Sequence, residues 1–205
     1  MDREIRFFDN PVQIITRDGE SESRTVEGYA LKFEQLSRNL GWFREKIARG
    51  ALDNADMGDV VALFNHDNNM VLARTISKTL TLEIDNEGLK YRFEAPNTTV
   101  GNDLIEMLSR GDIQHSSFAF SVEDQKWEQD GEDGAEIRTI LKIKRLYDVS
   151  AVTQPAYLQP DVGLAKRSYD EYKKENKGEP DEPTAEVQLR AKERARFLEI
   201  EKNRY

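Results

Sequence analysis

The chain has no cysteine among its 205 residues, which excludes disulfides, thiolate zinc sites and cysteine nucleophiles. Histidine is nearly absent too: there are two, His66 and His115, so a mechanism that needs an imidazole has only these to draw on. Positive charge is in deficit, with 30 Lys and Arg against 39 Asp and Glu, a net −9. That balance argues against a surface built to coat nucleic acid, because neutralising phosphate needs a basic face. No apolar run approaches the roughly 20 residues that span a bilayer. The opening MDREIRFFDN carries acids at once and lacks the apolar core of a signal peptide. A soluble, intracellular-type chain is expected, with neither nucleic acid nor membrane as a partner.

What is present divides the chain in two. Residues 1–165 hold 19 basic and 29 acidic side chains, whereas residues 166–205 hold 11 and 10, so that 21 of the last 40 residues are charged. Such a tail has little to bury, and its first half, Lys166–Pro183, is expected to be flexible. Its last stretch, Glu186–Lys202, is rich in helix formers and carries a thin apolar stripe of Val187, Ala191, Ala195 and Leu198. A lone helix that needs a partner for burial is expected there.

The first 165 residues alternate in the manner of strands over Val12–Thr16, Val26–Phe33, Val60–Phe64, Thr79–Ile84, Leu89–Ala95, Ser116–Val122 and Ile137–Val149. Asp85-Asn86-Glu87-Gly88 should close a hairpin. Helical spacing is read over Trp42–Ala48, stopped by Gly50, and over Thr99–Ser109, stopped by Gly111. The fold class is mainly β with helices, a mostly antiparallel sheet curled into a barrel or sandwich.

Three places could carry chemistry. His66 follows the apolar strand Val60–Phe64, where a side chain is held firmly yet remains reachable. In Ser116-Ser117, strand parity puts Ser116 with Phe118, Phe120 and Val122 on a core face, and Ser117 with Ala119 and Ser121 on a small face that leaves room for a ligand. Ser117 is therefore the candidate nucleophile. It needs a base, and His115, two residues away along the same strand, lies roughly 6–7 Å off, too far for a direct relay. A third group must hold the imidazole, and Asp148 stands inside an otherwise apolar strand, where a carboxylate is costly unless paired. Two other readings remain open on the residues alone. One is a non-enzymatic scaffold-type interaction module that docks through the tail. The other is a metal hydrolase using His66, Asp67 and His115, although these lack ligand-like helical spacing.

Four segments in order narrow the choice. Gly111-Asp112-Ile113-Gln114-His115-Ser116-Ser117-Phe118-Ala119-Phe120 resembles the G-D-I-x-x-x-S-F-G-F signature of the prohead, or capsid-maturation, serine proteases of tailed phages. Val26–Ala30 resembles that family's G-Y-A strand, Leu63–Asp67 its x-N-H-D strand, and Asp148–Tyr157 its closing acidic strand. The resemblance implies a closed antiparallel β-barrel wrapped by helices, similar to the herpesvirus assemblin proteases, over 1–165, followed by a linker and charged helical tail over 166–205. It implies an endopeptidase that trims capsid or scaffold protein, and itself, inside the prohead assembling in the host cytoplasm, with a homo-oligomer as a further association. It puts the nucleophile on Ser117, the base on His66 and the third member on Asp148, with no metal or organic cofactor. Ala119 stands where the family usually has Gly, and no histidine follows Ser117, so the third member must be acidic.

Overall fold

A computed structural model describes residues 3–15, 23–40, 42–129, 136–153 and 162–175. Nine strands and two helices are seen among them: β1 (Glu4–Ile14), β2 (Thr25–Lys32), β3 (Phe43–Ile47), β4 (Val61–Phe64), β5 (Asp67–Arg74), β6 (Leu80–Ile84), β7 (Gly88–Glu94), α1 (Thr99–Arg110), β8 (His115–Gln129), β9 (Glu136–Val152) and α2 (Val162–Glu175). All nine strands join one sheet in the order β5-β4-β9-β8-β1-β2-β7-β6, with β3 also on β9. The sheet curls into a nearly closed barrel, bringing β5 alongside β7. It is not fully closed, because β5 and β6 end the hydrogen-bonded path. Nor is it wholly antiparallel. Along one side of the long β9, β3 pairs in parallel with residues 136–140 and β4 in parallel with residues 148–151. On its other side β8 runs antiparallel along the whole length.

The inward face buries Val26, Ala30, Leu31, Tyr91, Phe93, Phe118, Phe120, Leu146 and Val149 in one apolar core. Helix α1 closes part of it with Leu104, and forms as its spacing predicts. Thr98 caps its start by accepting from Gly101 N, and Gly111, at φ 79°, ends it in the left-handed conformation that glycine adopts without a Cβ clash. The hairpin expected at Asp85–Gly88 joins β6 to β7, with the Asp85 carboxylate accepting from the backbone N–H of Glu87 and Gly88.

Two expectations are corrected. Residues 43–47 form a strand rather than a helix. Phe43, Glu45 and Ile47 point inward and Arg44 and Lys46 lie between, a two-residue period disguised because one inward residue is a glutamate. The stretch after Ala165 is helical through Glu175 rather than flexible. It is held by the buried Ala165, by the Trp127 indole N–H donating to Ser168 Oγ at 3.1 Å, and by Tyr169, whose ring packs on Trp42 and Trp127 and whose hydroxyl donates to Glu136. The chain divides into compact units at 1–169 and 170–205; of the second, only residues 170–175, the end of α2, are described. The expected helix Glu186–Lys202 lies outside the described residues. Among the described residues, no helix is long and apolar enough to cross a membrane.

Candidate active site

β8 and β9 are neighbours, and their register sets Ser117 opposite Ser150 and Ala119 opposite Asp148. Paired residues point to the same face, so Ser117, Ser150 and Asp148 share one surface of the sheet. Ser116 falls on the other, with Phe118 and Phe120. There its hydroxyl meets Tyr91 OH at 2.8 Å, a bond sealed in by Gly28: a Cβ at that position would come within 2.9 Å of both oxygens. Burial pushes the Tyr91 phenol well above its ordinary 10.0, so it stays neutral. Ser116 is thus a packing residue, and Gly28 of the G-Y-A segment is what lets β2, β7 and β8 close together.

His66 arrives from the other side of β9. The β4–β5 hairpin turns on just two residues, Asn65 and His66, at φ 51° and 58°. Left-handed geometry at both central positions is the turn whose twist suits a hairpin, but it costs a residue with a Cβ about 1–2 kcal/mol. Bonds to β9 offset that cost. Asn65 N donates to Ala151 O at 3.0 Å, His66 N to Ser150 Oγ at 3.3 Å, and Thr153 N to the Asn65 side chain at 3.0 Å. So fixed, the imidazole bridges the two strands: Nε2 lies 2.6 Å from Ser117 Oγ and Nδ1 2.6 Å from Asp148 Oδ1. A carboxylate only accepts. The proton therefore sits on Nδ1, and Nε2 is free to accept from Ser117.

The surroundings add three groups that sequence reading did not single out. Ser150 Oγ donates to Asp148 Oδ1 at 3.0 Å; its parity with Asp148, two residues earlier, was the available signal. The Arg6 carbonyl stands 3.0 Å from Ser117 Oγ, a second acceptor for the same hydroxyl. Arg3 bonds Asp148 Oδ2, and no local pattern announces it. His115 lies apart from the triad's bonds, its ring edge-on against Phe7 at 5.1 Å, and the Asp67 carboxylate turns back to Asn69. The expected open face is corrected: Ser117 is 2% exposed, and Ala119 and Ser121 are buried. The His66 ring covers Ser117, Asp148 stands beside Ala119, and Tyr147 OH donates to Ser121. Among the described residues, no group of three or more His, Asp or Glu is placed to hold a metal ion.

A serine hydroxyl, an imidazole and a carboxylate bonded in series can generate an oxygen nucleophile at neutral pH, the arrangement of the serine hydrolases. The chain belongs to the caudovirus prohead serine proteases, whose family profile matches residues 11–175. It is thus a phage capsid-maturation protease by family. A comparison with curated proteins gave no match. Among solved structures, the capsid assembly protease gp21 of bacteriophage T4 is similar at a TM-score of 0.47 and 15% identity, over 75% of this chain and 98% of that one.

Proposed function

We propose that the chain is a serine endopeptidase that cuts capsid or scaffold protein while a prohead assembles in the host cell, with Ser117 as nucleophile, His66 as base and Asp148 as the group that orients His66. The observation that carries this reading is the position of His66 between the other two, with 2.6 Å on either side. Ser117 Oγ attacks the peptide carbonyl carbon as its proton passes to His66 Nε2. The C–N bond then breaks, and the leaving amine takes that proton. Water, deprotonated by the same nitrogen, cleaves the resulting ester and returns Ser117 to its starting state. Asp148 holds the Nδ1 proton throughout and stabilises the imidazolium that forms. The mechanism needs no metal or organic cofactor.

The same activity acts on the chain itself in this proposal, within the part of Lys166–Pro183 that follows α2. The protease part and the tail are separate functional segments, and the tail is the docking element. The test is to co-express the chain with the major capsid or scaffold protein of the same phage, beside a Ser117→Ala control, and to read fragments by mass spectrometry. Cleavage by the wild type alone is the expected result. Intact partner in both, or equal cleavage in both, overturns the proposal; the first outcome favours a non-enzymatic assembly module.

A further inference from the structure

Arg3 stands ahead of β1, N-terminal to the residues that the family profile matches. β1 alternates, sending Glu4 and Arg6 into a buried cluster with Glu45 and Arg138, so Arg3, Ile5 and Phe7 share the opposite face. The register runs Ile5 opposite Ala119 and Ala119 opposite Asp148, which puts Asp148 two strands away, about 10 Å at the usual strand spacing. An arginine is long enough to cross that gap. Between Ile5 and Asp148, β8 places only the small side chain of Ala119. The Nη2 of Arg3 reaches Asp148 Oδ2, and its guanidinium carbon lies 5.8 Å from the centre of the Tyr147 ring. The other carboxylate oxygen, Oδ1, takes His66 Nδ1 and Ser150. Asp148 is 2% exposed, and a buried carboxylate with an unmatched oxygen is costly and free to rotate.

We infer that Arg3 is a positioning residue of the triad: it pins Oδ2 and so keeps Oδ1 aimed at His66 Nδ1. This rests on the proposed triad. It ties to the triad a residue that precedes the family match.

A fluorophosphonate probe reads the nucleophile without knowledge of the substrate, since Ser117 Oγ bonds phosphorus as fluoride leaves. With full-length protein, Arg3→Ala should lower the maximal labelling rate roughly tenfold or more, the range for groups that orient another's side chain, while half-saturating probe concentration stays put. Arg3→Lys should recover part of the rate. Added ethylguanidinium should raise the rate of Arg3→Ala but not that of the double variant with His66→Ala. With His115→Ala as background only one imidazole remains, and its far-downfield Nδ1 proton resonance should be sharp with Arg3 and lost with Arg3→Ala. An unchanged labelling rate overturns the inference. So does a loss that tracks a lowered unfolding temperature and resists ethylguanidinium. If wild-type Ser117 takes no label, the protease proposal is what fails, and the Nδ1 signal still decides the role of Arg3.

Discussion

Strand β9 buries polar side chains at both of its ends. Near its C-terminal end, Asp148 and Ser150 meet Ser117 and His66. Near its N-terminal end, Arg138 is 1% exposed and lies between Glu4 and Glu45, with Arg6 completing the group. The second cluster holds more charge, is at least as deeply buried, and is covered on one side by the Trp127 ring beneath the Arg138 guanidinium. Yet it cannot do proton chemistry. Two guanidiniums that never deprotonate face two carboxylates, and the set is neutral and saturated with partners. The triad has less charge but one imidazole, His66, able to accept and hand on a proton, at the triad's most exposed point, its side chain 13% accessible. Burial and charge alone therefore do not mark a site; a titratable group with a route to solvent does.

The largest effect expected at the triad end is on rate. Ser117→Ala should cut probe labelling by about 10⁴–10⁶-fold, roughly 5–8 kcal/mol of barrier, with an unchanged urea midpoint. Ser116→Ala should keep its rate and lose about 1–3 kcal/mol of stability, because Tyr91 is left without its buried partner. Similar rate losses from both would erase the distinction drawn from parity. At the other end the effect should fall on stability. Arg138→Met should cost about 3–5 kcal/mol in urea denaturation, the cost of stranding buried carboxylates, and the labelling rate of the folded fraction should not change. A rate loss there would mean the two ends are coupled through β9.

Smaller effects sharpen the same contrast. A chain ending at Ala165 should be less stable than one ending at Glu175 by about 1–2 kcal/mol, because it lacks Tyr169 against Trp42 and Trp127. Equal stability would show that α2 adds nothing to the barrel. The smallest effect concerns pH. Burial raises the Glu4 carboxyl, but the hydrogen bond from Arg138 and the charges of Arg6 and Arg138 outweigh it and hold the group below its ordinary 4.5. Its contribution to stability is therefore complete above pH 4.5 and is lost as pH falls through the lowered folded value. Unfolding curves in urea at stepped acid pH should show a shallower decline for Glu4→Gln than for the wild type. Parallel declines would assign the acid sensitivity to other carboxylates.

The same contrast explains what could be read from the residues beforehand. Ser117, His66 and Asp148, named from motifs, are the groups brought into contact, because each motif fixes a strand or turn by local chemistry. α1 and the β6–β7 hairpin were legible through their caps and turn residues. β3 and the first half of β1 were not, since Glu4, Arg6 and Glu45 occupy inward positions where an apolar residue would have shown the period. α2 was hidden by its charge, because three residues, Ala165, Ser168 and Tyr169, do its docking. Arg3 could not be seen at all. Its partner is 145 positions away, and only the strand order brings the two together.

The separation of the triad along the chain also sets when it can exist. Ser117 and Asp148 lie on antiparallel strands that follow one another in the chain, β8 and β9, so their pairing is the more local one. His66 must come in with β4, pairing in parallel across more than 80 residues, and parallel, non-local pairings are the slow ones. During synthesis the order is reversed: His66 leaves the ribosome first and has no partner until β9 has emerged. The proposed triad is then incomplete until residue 148 and its flanking strand are free to fold, so the activity proposed for it waits on the last of its three members to be made.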